Sequence, residues 1–179
     1  MSIAAPRYDN VAIALHWVIA ALIVAAFVLG LTIDDFPASW KSAVINLHAL
    51  IGLSVLVLSL ARLAWRLGHR PPAYDPPLGL AARRLSAAGH GLLYVLMIAV
   101  PAIGLPTLFF RGLGLDFGLF QLASPVARNR EVYRPLTEIH ELASYLMIAL
   151  AAGHALAAFY HQFVTRDRVL RRMMPGTPG

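Results

Sequence analysis

Four stretches of the chain run apolar with no Asp, Glu, Lys or Arg: residues 11–33, 43–61, 85–110 and 142–160. Each exceeds the roughly 18 residues that mark a membrane-crossing helix. In hydrocarbon such a run takes the helical form, because a helix pairs its backbone polar groups internally. Polar and proline clusters separate the runs. Asp34, Asp35 and Pro37 stop the first, and Ser39 or Lys41 opens the second. Arg70-Pro71-Pro72 and Pro76-Pro77 make an extended connector after the second. Pro101 and Pro106 lie inside the third and predict a kink. The pattern predicts an all-α, integral membrane four-helix bundle as a single domain over 1–179, with helices at about 11–33, 42–66, 83–110 and 135–164. The long connection 111–134 is expected on the outer side, with Leu113, Leu115, Phe117, Leu119 and Phe120 flat on the membrane surface. A connection of that length is more often functional than filler.

Composition agrees with this reading. Hydrophobic residues make up 59% of the chain and charged residues 13%, well off the soluble average, so little is left for a soluble domain. The first apolar run is longer than a signal-peptide core and is expected to be retained. Cysteine is absent, which excludes thioether-attached haem, iron–sulfur clusters and disulfides. Any haem must then be b-type, held by axial ligands and packing.

Charge sets the orientation. Arg7, Arg62, Arg66, Arg70, Arg83, Arg84, Arg166, Arg168, Arg171 and Arg172 fall on one side. Lys41, Arg111, Arg128, Arg130 and Arg134 fall on the other, partly offset by Asp34, Asp35, Asp116 and Glu131. Both termini are therefore expected in the cytoplasm. The basic tail suits a cytoplasmic anchor, and its shortness and tethering argue against a nucleic-acid partner. Trp17, Trp40, Trp65 and Tyr160 lie near segment ends, where amphipathic rings prefer the interface.

Histidine carries the chemistry. Of seven, His16, His48, His90, His140 and His154 lie within apolar segments or at their mouths, where polar groups are expensive and usually functional. His140 and His154 are fourteen residues apart, close to four turns and about 21 Å along one helix face. Sorted by depth, the set gives an outer pair, His48 with His140, and an inner pair, His154 with His16 or His90. Two bis-histidine haems fit that count. Each histidine alone also fits an interface residue or an interhelical hydrogen bond. Gly30 stands fourteen residues after His16, Gly52 one turn after His48, and Gly153 before His154. They suit either close approach to a porphyrin or ordinary small-residue helix packing. Arg62, fourteen residues after His48, fits a haem propionate partner or a positive-inside anchor.

The chain resembles the bacterial cytochrome b561 family, small di-haem membrane proteins that include superoxide:ubiquinone oxidoreductases. The matching stretches are Arg7-Tyr8, Ile13-Ala14-Leu15-His16-Trp17, Ile45-Asn46-Leu47-His48, Gly89-His90-Gly91-Leu92-Leu93-Tyr94, Pro101-Ala102-Ile103-Gly104-Leu105, His140-Glu141, Gly153-His154-Ala155 and Leu170-Arg171-Arg172-Met173-Met174-Pro175. They run in family order over almost the whole length. The resemblance implies two stacked haem b groups. It assigns His16 and His154 to the cytoplasmic one and His48 and His140 to the periplasmic one, choosing His16 over His90. It also favours His161, two turns after His154, as a quinone contact over a solvated helix-end residue.

The implied activity is transmembrane electron transfer in a bacterial inner membrane, with periplasmic superoxide oxidised to oxygen and ubiquinone reduced. Lys41, Arg111, Arg128, Arg130 and Arg134 are the residues expected to draw a small anion toward the periplasmic haem; a basic loop on lipid headgroups is the plainer reading. The alternatives are a cytochrome b electron-carrier or anchor subunit of a membrane dehydrogenase or hydrogenase, and a cofactor-free transporter whose histidines relay protons.

Overall fold

The computed structural model describes residues 7–69, 72, 79–167 and 169–176. Its framework is four long helices: α1 (Asn10–Thr32), α2 (Ala38–Gly68), α3 (Leu80–Phe110) and α4 (Arg130–Tyr160). All four are long and apolar enough to cross a membrane. Arg70, Pro71, Pro76 and Pro77 of the expected connector, and Arg168 of the tail, lie outside the described residues.

Local chemistry explains where the helices begin. Asp9 caps α1, its carboxylate accepting from the Ala12 amide at 2.9 Å. Asn129 caps α4, accepting from the Glu131 and Val132 amides. That cap, with Glu131 in the first turn favoured by the helix dipole, starts α4 at Arg130, five residues before the expected 135. Pro135 is thus inside the helix and does not open it. Pro101 and Pro106 also sit inside α3, which continues through both.

Burial is inverted relative to a soluble bundle. A compact cluster of Ile19, Ile23, Val55, Leu96, Met97, Val100 and Met147 forms the core. Val24, Val28, Val57, Leu60, Leu146 and Leu156 face outward and are exposed. Helices that are apolar all round belong in lipid. Sequence neighbours pack closely, α1 on α2, α2 on α3 and α3 on α4. Helix α4 stands off from α1 and from α2.

The α3–α4 connection folds into a ribbon. β1 (Leu115–Asp116) pairs antiparallel with β2 (Gln121–Leu122). Gly112 and Gly118 supply the left-handed backbone, with φ of 78° and 80°. Asn46 of α2 docks the ribbon. Its amide nitrogen donates to the Asp116 carbonyl at 2.9 Å, and its oxygen accepts from the Asp116 amide at 2.8 Å. Leu115 is buried at 3% exposure instead of lying on the surface, while Leu119 at 97% is fully out.

The opposite end is closed by the chain's two tails. After α4 the helix widens into a single π-type turn, His161–Thr165, and a 3₁₀ turn follows at Leu170–Met173. The Tyr8 amide donates to the Arg172 carbonyl at 3.2 Å, and the Trp17 indole donates to the Met173 carbonyl at 2.7 Å.

Candidate functional site

Four histidines face one another in two pairs across the seams where α4 stands off. His48 of α2 meets His140 of α4 with ring centres 6.0 Å apart and planes 82° to each other. His16 of α1 meets His154 of α4 at 6.3 Å and 78°. His90 also reaches the inner pair, with its ring centre 5.0 Å from that of His154.

These separations are a quantitative test for a bound metal. An imidazole nitrogen binds a first-row metal at about 2.0 Å and lies about 1.2 Å from its ring centre, so two rings on opposite axial positions stand about 6.4 Å apart. The pairs at 6.0 and 6.3 Å fit that spacing, whereas 5.0 Å between His90 and His154 is too short. The hydrogen bonds agree. His48 Nδ1 lies 2.9 Å from the Ala26 carbonyl, and His140 Nδ1 lies 3.0 Å from the Val100 carbonyl. A carbonyl only accepts, so Nδ1 carries the proton in each ring and Nε2 keeps its lone pair for a metal. His90 Nδ1 donates within its own helix, to the Ser86 carbonyl at 2.6 Å.

Arg62 lies at the inner level. It donates to the Tyr94 hydroxyl at 3.1 Å and to the Ala12 carbonyl at 3.3 Å. It borders a cleft of about 430 Å³ lined also by Arg7, Asp9, Trp65 and Arg66. The Trp65 indole donates to Asp9 at 3.1 Å. The Ala12 amide first, and this indole after it, hold the Asp9 carboxyl below its ordinary value.

His161, just past α4, donates its Nδ1–H to the Asp167 carboxylate, and Thr165 donates to the same carboxylate at 3.0 Å. Burial pushes the Asp167 carboxyl up, but the bonds from His161, Thr165 and the Val169 amide outweigh it and hold the group below its usual range. Asp167 was not singled out from sequence, because the turn that folds it back onto His161 needs Arg166 in a left-handed conformation, at φ 58°. Asn46 and Gly104 carry no more than a place in a matching stretch; their contacts are long-range.

The outer cations do not form one cluster. Arg111 and Arg128 both lie over the Tyr133 ring, 5.5 and 6.0 Å from its centre. Lys41 is engaged by Asp34 at 3.0 Å. Arg130 and Arg134 line a shallow depression with Glu131 and Glu138. Of the glycines, Gly30 lies against His48, Gly52 is in ordinary contact with Pro101, and Gly153 approaches no side chain.

A four-helix membrane protein with paired histidines at two levels is the class that fold and site define. The chain matches the family described as "Prokaryotic cytochrome b561" over residues 7–176 and belongs to it. A probable superoxide oxidase CybB of Yersinia pestis is 30% identical over 175 residues, 97% of this chain and 98% of the relative. Cytochrome b562 of Cereibacter sphaeroides is 34% identical, covering 94% and 96%. Cytochrome b561 homolog 1 of Escherichia coli is 26% identical, covering 94% and 97%. The family binds b-type haem and serves transmembrane electron transport, which makes this chain a multi-pass bacterial membrane oxidoreductase.

Proposed function

We propose that the whole chain forms one di-haem domain of the bacterial inner membrane, oxidising superoxide on the outer face and reducing ubiquinone. The observation that carries this reading is the two histidine pairs, at 6.0 and 6.3 Å, separated by about 21 Å along α4. His48 and His140 hold the outer haem, and His16 and His154 the inner one. A haem held by either pair would supply one-electron redox chemistry. Both termini lie in the cytoplasm, because Arg7, Arg62, Arg66, Arg83, Arg84, Arg166, Arg171 and Arg172 belong to the inner end.

The chain's own residues bind and steer the reactants. Arg62 pairs with an inner propionate. Arg111 and Arg128, which share the Tyr133 ring, raise the local concentration of a small anion; Lys41, Arg130 and Arg134 lie apart from them, beside carboxylates. His161 offers a hydrogen bond to a quinone headgroup, and the Asp167 carboxylate steadies the proton on its Nδ1. Two superoxide anions each lose one electron and leave as oxygen. Ubiquinone gains those two electrons and two protons and becomes ubiquinol. The relatives named only as cytochromes favour a second reading, an electron-carrier or anchor subunit of a dehydrogenase or hydrogenase.

The test is the purified chain alone, with haem quantified and superoxide added with and without a ubiquinone analogue. Two b haems per chain, reduced by superoxide and reoxidised by quinone, support the oxidase. Two haems that ignore superoxide leave the carrier reading. A haem-free, folded protein overturns both.

A further inference from the structure

We infer that Gly30 and Gly104 are positioning residues for the outer histidine pair, an inference that rests on the haem reading above for its redox consequence. The two outer rings are seated by one device used twice. His48 reaches from α2 to the Ala26 carbonyl of α1. His140 reaches from α4 to the Val100 carbonyl of α3. In each host helix the residue four positions on is glycine, Gly30 after Ala26 and Gly104 after Val100. That residue's N–H points at the same carbonyl in the helical ladder, so its side chain would crowd the carbonyl's flank.

The distances bear this out. A Cβ on Gly104 would stand 2.9 Å from His140 Cε1 and 3.2 Å from its Nδ1. A Cβ on Gly30 would stand 3.2 Å from His48 Cε1 and 3.6 Å from its Nδ1. The His140 ring would have to shift in place, and the His48 ring would have to give by a few tenths of an ångström. The device is confined to one level: among the described residues the His16 and His154 rings make no hydrogen bond. A ring that donates Nδ1–H to a fixed carbonyl is held in one tautomer and one rotation, and its Nε2 becomes more basic. A more basic ligand favours the oxidised iron. The glycines therefore tune the outer haem downward in potential and leave the inner one alone.

The experiment uses the haem-loaded full chain, with G104A, G30A and the control G68A, whose added methyl meets nothing within 4 Å. Redox titration and electron paramagnetic resonance read the two haems separately. In G104A the outer site is expected to lose about tenfold in haem affinity, as when other outer-shell partners are removed. Its potential is expected to rise by about 59 mV for each tenfold of that loss falling on the oxidised form. G30A moves the same way by less, and carries the test if G104A does not fold. The inner haem and G68A match the parent.

An outer signal unchanged in both variants, or both haems shifting equally, overturns the inference. If the parent binds no haem, the haem reading fails by itself, and ¹⁵N NMR of its histidines still reads the seat. Protonated Nδ1 at His48 and His140, lost in the variants, supports it; an unchanged tautomer overturns it.

Discussion

Single side chains separate the roles of the histidines. His140→Ala removes one ring of the outer pair, and the variant is expected to carry about half the parent's haem, measured by absorbance per chain. His90→Ala is expected to keep both haems, because its 5.0 Å approach to His154 leaves no axial space. At the mouth of α1, Asp9 makes a pH prediction. Its folded carboxyl is held below the ordinary value of 3.8, chiefly by the Ala12 amide. The stabilisation is therefore full above that value and is lost as pH falls through the lower folded one. Asp9→Ala is expected to destabilise the fold by about 1 kcal/mol at neutral pH, as for other lost caps. It should also flatten the acid limb of the thermal-unfolding profile; an unchanged melting temperature would count against the cap.

At the level of elements, hydropathy made the four helices legible, since an uncharged run of that length has few other forms. The outer histidine pair was legible from depth alone. Depth alone left the inner partner open, because both His16 and His90 lie at the right level; the family resemblance chose His16, and in the fold the two differ in their ring distances from His154, 6.3 and 5.0 Å. The 111–129 connection was the least legible, because its shape depends on Asn46, some seventy residues earlier. Asn46 presents an amide edge to the Asp116 backbone as another strand would. Asn46→Ala removes two hydrogen bonds of about 1 kcal/mol each. Faster hydrogen exchange at the Asp116 amide is the expected outcome, and an unchanged rate would mean that Leu115 burial alone holds the ribbon.

For the whole molecule, the proposed steering falls unevenly on the outer cations. Arg111 and Arg128 share Tyr133 at the ribbon end, whereas the Lys41 ammonium is engaged by Asp34. The double variant R111A/R128A is expected to lower the second-order rate with superoxide about tenfold at low salt and to flatten its ionic-strength dependence. Lys41→Ala should change the rate little. Stopped-flow reduction over a salt series checks both, and equal losses would mean that net charge, not these two guanidiniums, does the steering. Sequence could list the outer cations but not their partners, because Asp34 meets Lys41, and Arg111 and Arg128 meet Tyr133, only once the chain is folded.

The closure between the two tails has a consequence in time. Each major helix contact joins neighbours in the chain, so α1–α2, α2–α3 and α3–α4 can pair as each segment leaves the ribosome. The bond from Trp17 to the Met173 carbonyl spans 156 positions and must wait until residue 173 is made. Synthesis thus builds an open palisade first and ties it last. A nascent chain arrested before residue 170 would hold its four helices in order, with the α1–α4 side still untied.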